Sequence, residues 1–314
     1  MDRIPIGKLI RRRREELGVT QEELGQDNID PGTISKIENG KADPTSRTLR
    51  TLLQRLNLPD TYYTVPVTEN EATLENLLLE ARAKVVAAQR AVPAERAALR
   101  REALIALDKI EEQYGTNDVY IRQRLAGDRI ALGGPDGDYS QLQQREMLLA
   151  ALRLTVPSFT VEKLSSFWYT SDETEIINQI AVTFSAEKDY LSAIYIYSHL
   201  LEYLKNHSDQ LPRYPGQATM VAFNYACALV NEGRYEEAVQ AAEIGRQDCV
   251  AYGKHQFHPQ LLAVLANCHA HLGNLRESEE YYRQAYYLYK TFEEWDNLEH
   301  LQTDALETLG FELP

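Results

Sequence analysis

Apolar residues recur at helical spacing from the start of the chain. Ile6, Leu9, Ile10 and Leu17 share one face, and Gly18 is a natural stop. A second helix starts at Thr20-Gln21-Glu22-Glu23. There the Thr20 hydroxyl can accept from the backbone N–H of Glu23 while the Glu23 carboxylate reaches back, a capping box. The third begins at Asp30-Pro31, an N-cap acceptor followed by proline at the first helical position, where its missing N–H is harmless. It turns Ile34 and Ile37 inward and ends at Asn39-Gly40. A fourth starts near Thr45 or Ser46 and carries Leu49, Leu52, Leu53 and Leu56. Four or five short helices in about sixty residues predict a helix-turn-helix module over residues 1–58.

Asn57–Asn70 holds Pro59, Tyr62-Tyr63 and Val65-Pro66-Val67 without helical period, so 59–70 reads as a linker. From Glu71 onward the pattern is helical again. Leu74, Leu77, Leu78, Ala81 and Val85 form one amphipathic face, and Glu95–Tyr114, led by Pro93, forms another. Gly133-Gly134-Pro135-Asp136-Gly137 reads as a loop between helices. Three later segments repeat one another: Ile180-Ala181 with Tyr190, Ala193 and Tyr197; Tyr225-Ala226 with Tyr235, Ala238 and Ala242; Leu265-Ala266 with Leu275, Ser278 and Tyr282. Their pivots Tyr190, Tyr235 and Leu275 are 45 and 40 residues apart. Small residues where two helices cross, an aromatic beside them and a glycine for the turn predict paired antiparallel helices. The fold class is therefore all-α: a helix-turn-helix domain followed by a right-handed superhelix of tetratricopeptide-like hairpins over 71–314.

Charge divides the chain as the pattern does. The formal net charge is −14, yet the first sixty residues hold 11 basic and 10 acidic side chains. The remaining residues hold 22 and 37, so the two modules meet different partners. Tyrosine follows suit, with 17 of 19 beyond residue 100. The longest apolar runs, such as Met147–Leu152, reach six residues where a membrane span needs about 20. The run Lys8-Leu9-Ile10 passes straight into Arg11–Arg14, leaving no apolar leader. Cys227, Cys249 and Cys268 are odd in number, lack C-x-x-C spacing and read as small core residues in a reducing compartment. These features predict a cytoplasmic protein without membrane contact.

Thr20-Gln21-Glu22-Glu23-Leu24, followed by Thr33-Ile34-Ser35-Lys36-Ile37-Glu38-Asn39-Gly40-Lys41, resembles the phage-repressor (Cro/CI, XRE-like) helix-turn-helix. The step from Leu24 to Ile34 is one residue shorter than the commonest version, as in Rgg/PlcR-type regulators. The resemblance implies that Gln21 contacts a phosphate, helped by the positive end of its helix. It implies that Thr33 and Lys36, with Ser35, approach base edges in the major groove of double-stranded DNA. Asn39, Gly40, Lys41, Arg47 and Arg50 would then lie along the backbone. Arg11 and Arg14 contact phosphate or belong to a solvated face balanced by Glu15 and Glu16. Pro31 and Gly32 carry no side-chain donor, so the base code leans on DNA shape. A module near neutrality binds usefully as a homodimer on an operator whose half-sites lie about 34–36 Å apart.

Helix-turn-helix followed by such repeats is similar to the Rgg/PlcR/PrgX class of quorum-sensing transcription regulators. Leu154–Phe159 leading into Ile176–Ala181, and Gln284–Lys290, strengthen the likeness. It implies that asparagines on the inner helices hold the backbone of a short signalling peptide, since an amide donates and accepts at once. Asn178 and Asn224 fall at such positions, with Gln179 and Asn267 close by. The alternative for these side chains is satisfaction by loop backbone or neighbouring helices. Tyr281, Tyr282, Tyr286, Tyr287 and Tyr289 either pack the last helices together or line a pocket. A rival class is a repeat scaffold that binds a protein partner, with DNA binding secondary.

Catalytic chemistry finds no foothold. The glycines at 133–137 lack the Gly-Lys-[Ser/Thr] of a phosphate loop. His255 and His258 have no carboxylate or cysteine at ligand spacing, and His269 and His271 face different sides of a helix. No nucleophile–base constellation is visible. Neither cofactor, metal nor enzymatic activity is expected.

Overall fold

The computed structural model describes residues 5–26, 28–58, 69–91, 93–114, 118–133, 139–206, 215–253, 255–310 and 313. Among them every regular element is a helix. The chain divides into two compact units, Met1–Thr183 and Phe184–Pro314. Residues 59–68 of the expected linker lie outside the described residues, as do 134–137 of the expected glycine loop.

The first unit opens with α1 (Ile6–Glu16), α2 (Gln21–Gly25), α3 (Pro31–Glu38) and α4 (Ser46–Arg55). Their starts are those that side-chain chemistry dictates. Thr20 and Glu23 form the reciprocal capping box of α2. Asp30 accepts from the Thr33 N–H at 2.9 Å ahead of Pro31, and Thr45 caps α4 through the Thr48 N–H. Ile10, Leu24, Ile34, Ile37, Leu49, Leu52, Leu53 and Leu56 close into one core, against which Trp168 also packs. Gly7 lets α1 meet α3, for a Cβ there would sit 2.0 Å from the Ile37 carbonyl oxygen.

Then follow α5 (Glu69–Arg90), α6 (Pro93–Tyr114), α7 (Val119–Ala131), α8 (Gln141–Arg153), a short 3-10 turn and α9 (Ser171–Ala186). The amphipathic face read from the sequence is the packed one: Leu74, Leu78, Ala81 and Val85 are buried with Ala103, Leu107 and Ile110 of α6. Arg82 on α5 joins Asp128 of α7 at 2.5 Å and also reaches Glu175 of α9.

The second unit comprises α10 (Tyr190–Asn206), α11 (Pro215–Asn231), α12 (Tyr235–Tyr252), α13 (His258–His271), α14 (Leu275–Thr291) and α15 (Trp295–Leu309). Each packs on the next, and α11 and α13 also touch the helix two places on. This is the contact pattern of stacked hairpins. Pivots Tyr190, Tyr235 and Leu275 are each the first residue of the returning helix. Ala193, Ala226, Ala238, Ala242, Ala266 and Ser278 are all 0 % exposed, so the small residues do mark the crossings. The backbones of α13 and α14 come close enough for the Ser278 hydroxyl to donate to the Ala266 carbonyl at 2.7 Å.

One turn geometry recurs in this unit. The residue before each returning helix's cap is left-handed: Gly233 (φ +72°) before α12, Gly273 (φ +79°) before α14. Lys188 (φ +63°) and Glu293 (φ +58°) take the same role before α10 and α15, and there a Cβ strains the backbone. Lys188→Gly is expected to raise stability by up to about 1 kcal/mol, and Gly273→Ala to lower it by about as much. Thermal unfolding of the two variants beside the wild type checks both signs.

Candidate nucleic-acid interface

The exposed surface of α3 is built by its caps. Asp30 and Pro31 fix its first turn, and Ile34 and Ile37 bury the opposite face. Thr33, Lys36, Asn39 and Lys41 stand exposed, with Ser35 half-buried between them. Asn39 donates to the Ser35 carbonyl at 2.7 Å and so closes the helix end beside Gly40 (φ +66°). Thr33 and Lys36 are three residues apart on a helix and project from one face, which suits entry into a groove.

The other candidates already hold protein partners. Glu38, buried behind α3, takes both ends of the Arg14 guanidinium, Nε at 2.6 Å and Nη2 at 2.9 Å. Its Oε2 also accepts from the Gln21 amide at 2.7 Å. The hydrogen bonds that Arg14 donates to Glu38 hold its pKa above the ordinary value. Arg11 pairs with Glu15 at 2.8 Å on the open face of α1. Arg50 joins Glu75 of α5 at 2.8 Å, and Arg47 joins Asp118, the residue that caps α7. In this arrangement carboxylates occupy the places that the resemblance gives to DNA phosphates.

Sequence reading missed the contacts that seat these four helices on the rest of the first unit. Arg55 is 0 % exposed; its Nη1 donates to the carbonyls of Leu24 at 2.8 Å and Gly25 at 3.1 Å, ending α2. Its Nη2 lies 3.6 Å from the equally buried carboxylate of Glu173 on α9. Gln26 adopts φ +49° and spends its side chain on the Trp168 carbonyl at 2.7 Å. Asn28 donates to the Thr155 carbonyl. The one signal in the sequence was a charge at residue 55, inside the apolar stripe of α4. Tyr120 is desolvated beside this pair, and burial pushes its phenol pKa up.

The expected peptide contacts fall in both units. In the first, Asn178 is buried on α9 with Gln179 half-buried next to it. In the second, Asn224 on α11 and Asn267 on α13 are half-buried. The Asn267 Oδ1 is buried and accepts no hydrogen bond from any of the described residues. Of the tyrosines, Tyr282, Tyr286 and Tyr289 are buried packing residues, whereas Tyr287 is 55 % exposed. Tyr282 donates to Asp304 at 2.6 Å. His269 stacks on Tyr281 and His271 on Tyr235, so the two histidines do face opposite neighbours. Among the described residues no group of three or more His, Cys, Asp or Glu is arranged to hold a metal. No described helix is long and apolar enough to cross a membrane. Burial pushes the Cys227 and Cys268 thiols up to about 12 and Cys249 to about 11.

Together these features define a helix-turn-helix protein extended by tetratricopeptide-type helices. The helix-turn-helix family matches residues 10–63 and the tetratricopeptide repeat family residues 259–292. Among solved structures the chain is similar to PlcR of Bacillus thuringiensis in complex with the peptide PapR7 and DNA. The two are 18 % identical over 95 % of this chain and 98 % of that one, with a TM-score of 0.57. The apo form of PlcR gives 18 % identity, 94 % and 97 % coverage, and a TM-score of 0.58. The apo form of the competence regulator ComR from Streptococcus vestibularis gives 13 %, 97 %, 98 % and 0.51. At such identities the likeness is one of fold, and it runs from end to end. No curated protein matches the sequence.

Removing one member of the Arg55–Glu173 pair leaves a buried charge alone. Glu173→Ala is expected to cost about 3 kcal/mol or more. Arg55→Met with Glu173→Leu should recover more than half of that loss. Urea unfolding of the wild type, the single and the double variant gives the comparison. At pH 8 the three thiols should react with a disulfide reagent at least tenfold more slowly in the native protein than in urea.

Proposed function

We propose that the protein is a sequence-specific DNA-binding transcriptional regulator whose repeat helices, over 71–314, bind a short signalling peptide. It works as a cytoplasmic homodimer on a two-fold operator. The reading rests on one observation above the others: α3 exposes Thr33 and Lys36 on a capped helix, in a chain whose fold follows PlcR throughout. PlcR itself was solved with both a peptide and DNA. Thr33, Lys36 and Ser35 read bases, while Asn39, Lys41 and the helix dipole at Gln21 meet the backbone. Arg11, Arg14, Arg47 and Arg50 reach phosphate only by exchanging a carboxylate partner for it. Asn178, Gln179, Asn224 and Asn267 hold the peptide backbone. The peptide acts by favouring one of two arrangements for which its affinity differs. The chain's role is binding, without catalysis.

Fluorescence anisotropy with the protein's own upstream DNA, at two salt concentrations and against scrambled DNA, tests the DNA half. Thr33→Ala/Lys36→Ala should lose about tenfold or more of the preference for the upstream DNA while the protein stays folded. Equal, salt-sensitive binding of both DNAs by the wild type and the variant would favour the repeat-scaffold reading.

A further inference from the structure

A cavity of about 540 Å3 lies within the first unit, bounded by α5, α6, α7, α8 and α9. Its volume is in the range of ligand pockets, about 300–1,000 Å3. Ile130, Leu132, Leu148 and Val182 supply an apolar part of the wall. Arg96 and Arg100, one turn apart on α6, supply the charge, and among the described residues no carboxylate lines the cavity. In a chain of net charge −14 that is an unusual place for two guanidinium groups.

Arg100 sets the chemistry. Its Nε and Nη2 are buried, and among the described residues no group accepts a hydrogen bond from either. That edge of a guanidinium offers two parallel N–H groups, the geometry that grips a carboxylate. The same protein shows the fit twice. Arg14 holds Glu38 by Nε and Nη2 at 2.6 and 2.9 Å, and Arg234 holds Glu237 by the same atoms at 2.7 and 2.6 Å. Leaving such an edge buried without an acceptor is costly. Nearby donors are already committed: Gln89 to the Ala131 carbonyl at 3.2 Å, Gln144 to Tyr139 at 3.3 Å, Thr183 to Ile180 at 2.7 Å. Arg96 spends its Nη2 on the Ala91 carbonyl at 3.1 Å, so a ligand meets Arg100, the rest of the Arg96 guanidinium and the Gln179 amide.

We propose that this cavity is a carboxylate-binding subsite. Arg100 clasps the carboxylate through its Nε/Nη2 edge, Arg96 adds a second positive charge, and the apolar wall takes the group attached to it. The assignment rests on the peptide-binding reading above and sharpens it: the peptide presents a carboxylate, from its C-terminus or an acidic side chain, next to an apolar group. Overall acidity would repel such a group, and the two arginines reverse that locally.

Three heptapeptide pools decide the matter. The first is built from uncharged residues with a free C-terminus, the second is the same pool amidated, and the third is amidated and contains Asp and Glu. Each is incubated with the full-length protein, and co-eluting peptides are quantified by mass spectrometry after gel filtration. Retention of the first pool about tenfold above the second identifies the C-terminus as the source; retention of the third above the second identifies a side chain. Either preference should vanish in Arg100→Gln and in Arg100→Lys, which keeps the charge but loses the paired edge, with circular dichroism confirming that both variants are folded. Equal retention of all three pools overturns the carboxylate subsite while leaving peptide binding intact, as does a preference that survives Arg100→Gln. No retention of any pool overturns the peptide reading and the subsite with it.

Discussion

Arg55 and Glu173 form an ion pair removed from water on both sides, and the seating of the helix-turn-helix depends on it. Arg55 satisfies the last carbonyls of α2, where the helix dipole favours a cation. Glu173 accepts from the Thr170 N–H at 2.6 Å at the start of α9, where the dipole favours an anion. One pair thus joins the negative end of one helix to the positive end of another. Burying two charges gains little net stability, because desolvation offsets their attraction. What it provides is selectivity: a displaced arrangement would strand a charge, so α2 and α9 meet in one way.

Helix α9 borders both the cavity and the buried ion pair. Gln179 lines the cavity with Arg96 and Arg100, and Glu173 lies less than two turns earlier on α9. Glu175 between them receives Arg82, which also holds Asp128. Within two turns α9 thus meets Arg55 of α4, Arg82 of α5 and the cavity.

Charge placement explains why a module near neutrality sits in so acidic a chain. Arg14, Arg47 and Arg50 each face a carboxylate: Glu38, Asp118 and Glu75. Exposed pairs such as Arg50–Glu75 contribute little to stability. The Arg14–Glu38 pair is shielded from water, and the same carboxylate also holds Gln21. Thr33, Lys36, Asn39 and Lys41 stand exposed on and just beyond α3.

The sequence by itself determined the local structure, because capping and helical periodicity depend on neighbours a few residues away. Thr20–Glu23, Asp30–Pro31 and Thr45 set the helix starts, and Ala226, Ala238, Ala266 and Ser278 marked the crossings where only a small side chain fits. Only the tertiary structure decided which charges are buried and with whom. Arg55 and Glu173 are 118 positions apart, and nothing in either neighbourhood reveals the other. Arg47, read as a backbone contact, finds Asp118 across the fold, and Arg100, unremarkable on a polar helix, ends beside a cavity without an acceptor. Electrostatic partners are set by distance in space and by exclusion of water, and neither is written in the spacing of residues along a chain.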